Sequence, residues 1–161
     1  MLVPAIMYKE EIEKNFAKKF YSMDMFYETG TVNSNWSPDI PSCPEGGLFT
    51  YAIINSKEKV IGYLSYRVDY YESNVYNFGL ISFDKGNALV GKDIFDKLEE
   101  LVHKFHRVEW RAIAGNPACR GYDKFVKKHN GKKLILTDAC KDADGNYHDD
   151  YIYEIINKEV K

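Results

Sequence analysis

Apolar positions change period several times along the chain, and each change marks an element. The run VYNFGLISF (Val75 to Phe83) is short and almost continuous, as in a buried strand. After the break at DKGNA, Val90, Ile94, Leu98, Leu101, Val102 and Phe105 recur at helical spacing, with Lys92, Asp93, Lys97 and Glu100 on other faces. RVEWRAIA (Arg107 to Ala114) is a further strand. Gly115-Asn116-Pro117 then opens a short helix with Ala118, Tyr122, Phe125 and Val126 on one side. Asn116 is its expected N-cap, Pro117 its first residue and Gly131 its left-handed stop. A strand-helix-strand unit this short requires a parallel pair joined by a right-handed crossover. Ligands of such units bind where loops leave the carboxyl ends of the strands, here Asp84 to Leu89 and Gly115 to Asn116.

The remaining elements flank that unit. Tyr8 to Glu28 reads as a helix with Ile12, Phe16, Phe20 and Met23 in one stripe, Glu10, Glu11 and Glu13 in its early turns and Gly30 as its stop. Thr31 to Gly47, rich in Pro, Ser, Asn and Gly, is a long irregular loop in which Trp36 covers an opening or anchors the loop to the core. Leu48 to Ile54 and Lys59 to Asp69 form a hairpin across Asn55-Ser56-Lys57-Glu58, and the turn Tyr71 to Asn74 extends it to Val75–Phe83 as an antiparallel meander. Lys132 to Ala139 and Tyr147 to Ile156 close the chain as a hairpin around Lys141 to Asn146. DADGNYHDD has some features of a calcium loop. With Gly145 at the sixth loop position, however, Cys140 and Tyr151 fall where oxygen ligands belong, so a polar turn at Asp144-Gly145 is the better reading. No repeat or linker divides the chain, and 161 residues make one domain of class α+β.

Composition narrows the function classes. A formal net charge of −2 argues against a general nucleic-acid binder, and no apolar run approaches bilayer length. The N-terminal stretch turns acidic at once, unlike a signal peptide, so a cytoplasmic protein is expected. Cys43, Cys119 and Cys140 are too few and too scattered for a disulfide framework or a zinc site and read as reduced thiols. The 13 tyrosines and 9 phenylalanines suit half-buried strands; they would also suit a pocket or the surface of a homodimer.

Helix, loop, three antiparallel strands, helix, strand, helix and closing hairpin is an order that resembles the GNAT N-acyltransferase superfamily over nearly the whole chain. The resemblance implies a mixed sheet of six to seven strands with helices on both faces. That sheet is splayed between its fourth and fifth strands, Val75–Phe83 and Arg107–Ala114, if a short strand precedes Leu48. In GNPACRGYDKF, Asn116 and Tyr122 are similar to the family's Asn-then-Tyr pattern, at a separation of six residues where seven is usual. The pattern implies that Asn116 meets the pantetheine arm of acetyl-CoA and that Tyr122 protonates the leaving thiolate. The alternative for this pair is a helix cap and a core tyrosine. The phosphate loop departs further from the family's Arg/Gln-x-x-Gly-x-Gly/Ala. With Gly91 in the last position, Gly86 replaces the basic residue and Leu89 the first glycine. Gly86, Asn87, Leu89, Gly91 and Lys92 still supply a flexible loop, free helix amides and a positive charge.

The mechanism this implies is direct attack by an amine, from a small molecule or a peptide, on acetyl-CoA, with no metal. Backbone groups of the fourth strand, Ile81 and Phe83 among them, would polarise the acyl carbonyl. Asp69, Glu72 and Glu109 are candidate bases; His103 and His106 sit near the far end of the long helix, away from the site, and His148 is on the closing hairpin. Cys119, in a first helical turn, could be a nucleophile, but no His accompanies it. A GNAT-fold binding or regulatory protein without transferase activity is the competing reading, motivated by the altered phosphate loop.

Overall fold

The computed structural model describes residues 1–21, 25–27, 38–84 and 86–160. Its strands are β1 (Leu2–Pro4), β2 (Leu48–Ile54), β3 (Val60–Asp69), β4 (Asn74–Ser82), β5 (Arg107–Ile113), β6 (Lys132–Lys141) and β7 (Tyr147–Ile156). They form one mixed sheet in the order β1-β2-β3-β4-β5-β7-β6, in which β4 and β5 are the parallel pair. A 3-10 turn (Ala5–Tyr8) leads into α1 (Lys9–Tyr21); α2 (Ala88–Lys104) makes the β4–β5 crossover, and α3 (Cys119–Lys128) follows β5.

Side-chain alternation assigns the two faces. Ile61, Leu64, Phe78, Val108, Trp110, Ala112 and Tyr153 point to the face covered by α2 and α3, where Val90, Ile94, Leu98, Leu101, Tyr122 and Phe125 meet them. Ala52, Ile54, Val60, Tyr63 and Ile81 point to the other face, where Ile12 and Phe16 of α1 cover β2 to β4. Helices on both faces of a seven-stranded mixed sheet match the architecture the resemblance implied, with β1 as its short first strand.

Several local expectations are corrected. Phe20, expected in the apolar stripe of α1, is 42% exposed, because only Ile12 and Phe16 face the sheet; Met23, Gly30 and Trp36 lie outside the described residues. Asn116 does not cap α3, which begins after Ala118. Its Oδ1 accepts from Ala118 N at 2.9 Å and its carbonyl accepts from Cys119 N at 3.0 Å, so Asn116 closes the turn before the helix. Gly131 is not the left-handed residue; Asn130 is, with φ 52°. Gly131 is required by close approach instead, since a Cβ there would lie 2.5 Å from the Glu154 carbonyl oxygen. At the β6–β7 turn, Asp142 accepts from Asp144 N, Asn146 N and the Asn146 amide, and His148 Nε2 lies 2.8 Å from it. Its carboxylate thus organises a polar turn.

Candidate functional site

The sheet opens between β4 and β5. Among the described residues, β4 and β5 pair at Asn74–Arg107, Val75–Val108 and Phe78–Trp110, after which both strands run on without pairing each other. A bulge precedes the parting. Tyr76 faces Arg67 and Gly79 faces Ser65, so Asn77 and Phe78 together oppose Tyr66, and Asn77 takes φ 50°. Two residues against one bend and twist the bulged strand, which swings the end of β4 away from β5.

Ladder parity shows which backbone groups face the opening. Phe83 N donates to Ile61 O at 2.9 Å, so Phe83 and, two residues earlier, Ile81 belong to the positions hydrogen-bonded to β3. Their amides are turned away from β5, which corrects the expectation that they would polarise a carbonyl in the gap. Leu80 and Ser82 have the opposite parity and turn their backbone groups toward it. On β5, Ala114 N donates to Asp149 O at 2.8 Å and Asn157 N to His106 O at 2.7 Å. Even-numbered positions therefore serve β7, while Arg111 and Ile113 face the opening. An extended chain bearing amides could lie between the strands as an inserted strand would. Trp110, where the strands part, carries a buried indole N–H without a hydrogen-bond partner.

At the carboxyl end of β4, the loop into α2 is closed by its own side chains. Asn87 caps the helix by accepting from Leu89 N at 3.0 Å, and its amide donates to Asp84 Oδ2 at 2.9 Å. The backbone is bare: a Cβ at Gly86 or Gly91 would meet nothing within 4 Å, and Leu89 is exposed. Lys92 is paired with Asp96 on the helix surface, an exposed ion pair that holds it weakly. More positive charge lies alongside. A cavity of about 430 Å³ between α1 and the end of β4 is lined by Lys18, Lys19, Lys59, Ser82, Phe83 and Asp84, with Lys19 Nζ donating to Ser82 O at 3.1 Å.

At the end of β5, Asn116 and Tyr122 lie in the turn leading into α3 and in the first turn of α3. The Asn116 amide is engaged twice. Besides accepting from Ala118 N, it donates to Tyr27 O at 2.8 Å, tying the segment after α1 to the end of β5. The Tyr27 hydroxyl sits over Gly115, where a Cβ would approach it to 3.1 Å; Gly115 has φ 95° and so is glycine on two grounds. Tyr122 is 6% exposed. Its ring packs edge-on against Phe95 and Trp110, at 5.9 and 5.6 Å between centroids, and at a tilt against Tyr153.

The remaining candidates separate by position. Asp69 accepts from Tyr71 N and Glu72 N in the β3–β4 turn, so Asp69 and Glu72 lie at the opposite end of the sheet from the parting. Glu109 is bound by Arg107 on the fully paired part of β5. None of the three borders the site. His103 pairs with Glu99, and His106 Nδ1 lies 2.9 Å from Asn157 O near the start of β5. Burial raises the Cys119 thiol above its ordinary value and its Sγ donates to Ile113 O at 3.6 Å, both of which disfavour a thiolate there. The carboxylate sequence reasoning missed is Asp150. It faces Ile113, the last residue of β5, is 4% exposed and is paired with Arg111. Its signal in the sequence was faint: the second Asp of a strand otherwise full of aromatic and aliphatic residues.

No protein-family model matches the chain, and no curated protein matches it in sequence. Solved structures match it in fold. The ribosomal-protein-S5-alanine acetyltransferase of Vibrio fischeri aligns at TM-score 0.53 and 16% identity, covering 71% of this chain and 64% of its own. The spermidine/spermine N-acetyltransferase of Vibrio cholerae aligns at TM-score 0.55 and 14% identity, covering 70% and 66%. A probable GNAT-family acetyltransferase of Chromobacterium violaceum aligns at 0.52 and 16%, covering 70% and 60%. The chain has the GNAT fold, and its match spans less than two thirds of each of these proteins.

Proposed function

We propose that the protein transfers an acetyl group from acetyl-CoA to an amine. The observation that carries this reading is the parting of β4 and β5 beyond Phe78–Trp110, after which the two strands no longer pair with each other. Two of the structures similar in fold are named for amine acceptors, a ribosomal protein's alanine and spermidine or spermine.

The residues present fit acyl-CoA. The backbone groups of Leu80, Ser82, Arg111 and Ile113 suit the amide-bearing arm, and the buried Trp110 N–H is an unused donor where the strands part. The bare start of α2, from Gly86 and Asn87 through Leu89 to Gly91 and Lys92, suits phosphate oxygens. Lys18, Lys19 and Lys59 in the adjoining cavity offset the missing basic residue at Gly86. When bound, acetyl-CoA supplies an acyl group activated as a thioester. Tyr122 is the proton donor to the departing sulfur: a phenol O–H can protonate a thiolate, and the ring is held by Phe95, Trp110 and Tyr153. Ile81, buried beneath α1, and Phe83, packed against the same cluster, support the β4 strand from behind rather than through their amides. Asn116 acts by fixing Tyr27 and the approach to α3.

One observation favours a second reading, a GNAT-fold binding protein without transferase activity: Asp84 and Asn87 close the phosphate loop on each other where the family carries a cation. Incubation with acetyl-CoA and an amine panel, following release of free thiol, separates the two. The transferase reading predicts thiol release with at least one amine and a loss of about 100-fold or more in Tyr122→Phe. Tight acetyl-CoA binding without thiol release from any amine would favour the binding protein.

A further inference from the structure

The two edges of the sheet differ. β1 is three residues long and ends at Pro4, a short edge that offers little to an incoming chain. β6 runs from Lys132 to Lys141 and, among the described residues, pairs only with β7. Every residue from Leu134 to Ala139 is exposed, and three of them are large and apolar: Leu134 at 51%, Ile135 at 55% and Leu136 at 42%. Alternation puts Leu134 and Leu136, opposite Ile152 and Asp150, on the face away from α3, and Ile135, opposite Tyr151, on the α3 face. A partner lying on one face of the sheet would cover one set and leave the other in water. A strand arriving edge-on covers both.

The backbone agrees. Odd-numbered positions of β7 serve β5, since Ala114 N donates to Asp149 O and Asn157 N to His106 O, so the even-numbered positions of β7 serve β6. Their partners are Lys132, Leu134 and Leu136. Lys133 and Ile135 therefore turn their N–H and C=O groups outward, where an added strand can pair with them. The usual protections of such an edge are weak here. Lys133 is drawn aside, its Nζ 2.9 Å from Asp123 and 3.7 Å from the centre of the Tyr151 ring. The irregularity around Asp138, with φ 54°, comes only after Leu136.

The strand is also complementary to itself. In an antiparallel pair of β6 strands with Ile135 on the two-fold axis, Leu134 meets Leu136 of the second copy and Lys132 meets its Asp138. Opposite charges then flank an apolar centre, and each pairing occurs twice. We propose that the protein forms a symmetric homodimer through β6, joining two seven-stranded sheets into one across Ile135. β5 and β7 separate β6 from the β4–β5 opening, so the opening of each copy stays clear. The dimer does not depend on the transferase reading.

The test is sedimentation equilibrium of the full chain from micromolar to millimolar concentration. The wild type is expected to dimerise within that range. Lys132→Glu and Asp138→Lys are each expected to weaken the dimer by about 2- to 30-fold, because each sets like charges together twice. Mixing the two variants restores both opposite-charge pairs in a heterodimer and is expected to recover the wild-type affinity. Ile135→Lys, at an exposed position, is expected to weaken the dimer by about 10-fold or more with the circular dichroism spectrum unchanged, and it decides the matter if Asp138→Lys unfolds. A wild type that is monomeric at millimolar concentration, a dimer untouched by Ile135→Lys, or folded single variants that associate no better mixed than apart would overturn the assignment.

Discussion

At Gly131 and Asn116, one atom or one amide decides the local structure. The carbonyl of Glu154 lies where a Gly131 side chain would begin, so Gly131→Ala should cost about 1–3 kcal/mol through forced displacement of β7, read as a lower denaturant midpoint. Asn116→Ala removes a turn cap and the tether to Tyr27 together. It should cost about 0.5–2 kcal/mol and loosen the segment around Tyr27, visible as faster amide exchange there. Asn116 and Tyr122 were legible in the sequence as a pair only through their resemblance to the family's Asn-then-Tyr pattern. What Asn116 holds was not, since Tyr27 is distant in sequence and only folding brings it near. Asp150 was hidden for the same reason: its neighbour Ile113 belongs to another strand, and a single chain carries no sign of cross-strand register.

Among the elements, α2 and α3 are joined by packing and by charge. Glu99 of α2 meets Lys128 and His129 at the end of α3, and the hydrogen bond from Lys128, then that from His129, holds the carboxyl down to about 2. A depressed carboxylate stabilises the folded chain above its ordinary value of 4.5 and loses that contribution as pH falls toward 2. Glu99→Gln should therefore lower stability modestly at neutral pH, leave it nearly unchanged near pH 2 and so flatten the acid limb between those values, as followed by thermal unfolding. In the shared core, Leu98→Ala should cost about 2–5 kcal/mol in chemical denaturation, because Leu98 is wholly buried. Strand and helix order was legible from period alone, and the bounds of β2 and β7 match it. The bulge at Asn77 was not, because one residue out of phase inside an apolar run looks like ordinary strand. Nor was the turn of the Ile81 and Phe83 amides toward β3, which depends on register.

On the scale of the whole molecule, the account rests on one opening in one sheet. α2 and α3 lie on one face and α1 on the other. On the proposed transferase reading, this division would give a donor and an acceptor separate approaches to the same gap. The most direct measurement is calorimetric titration of the purified protein with acetyl-CoA, repeated on Tyr122→Phe and on Gly91→Glu, which places a negative charge at the bare start of α2. The account predicts micromolar binding by the wild type, little change in Tyr122→Phe, and a loss of tenfold or more in Gly91→Glu. Absence of binding at millimolar acetyl-CoA would contradict it, leaving the GNAT fold without its transferase reading.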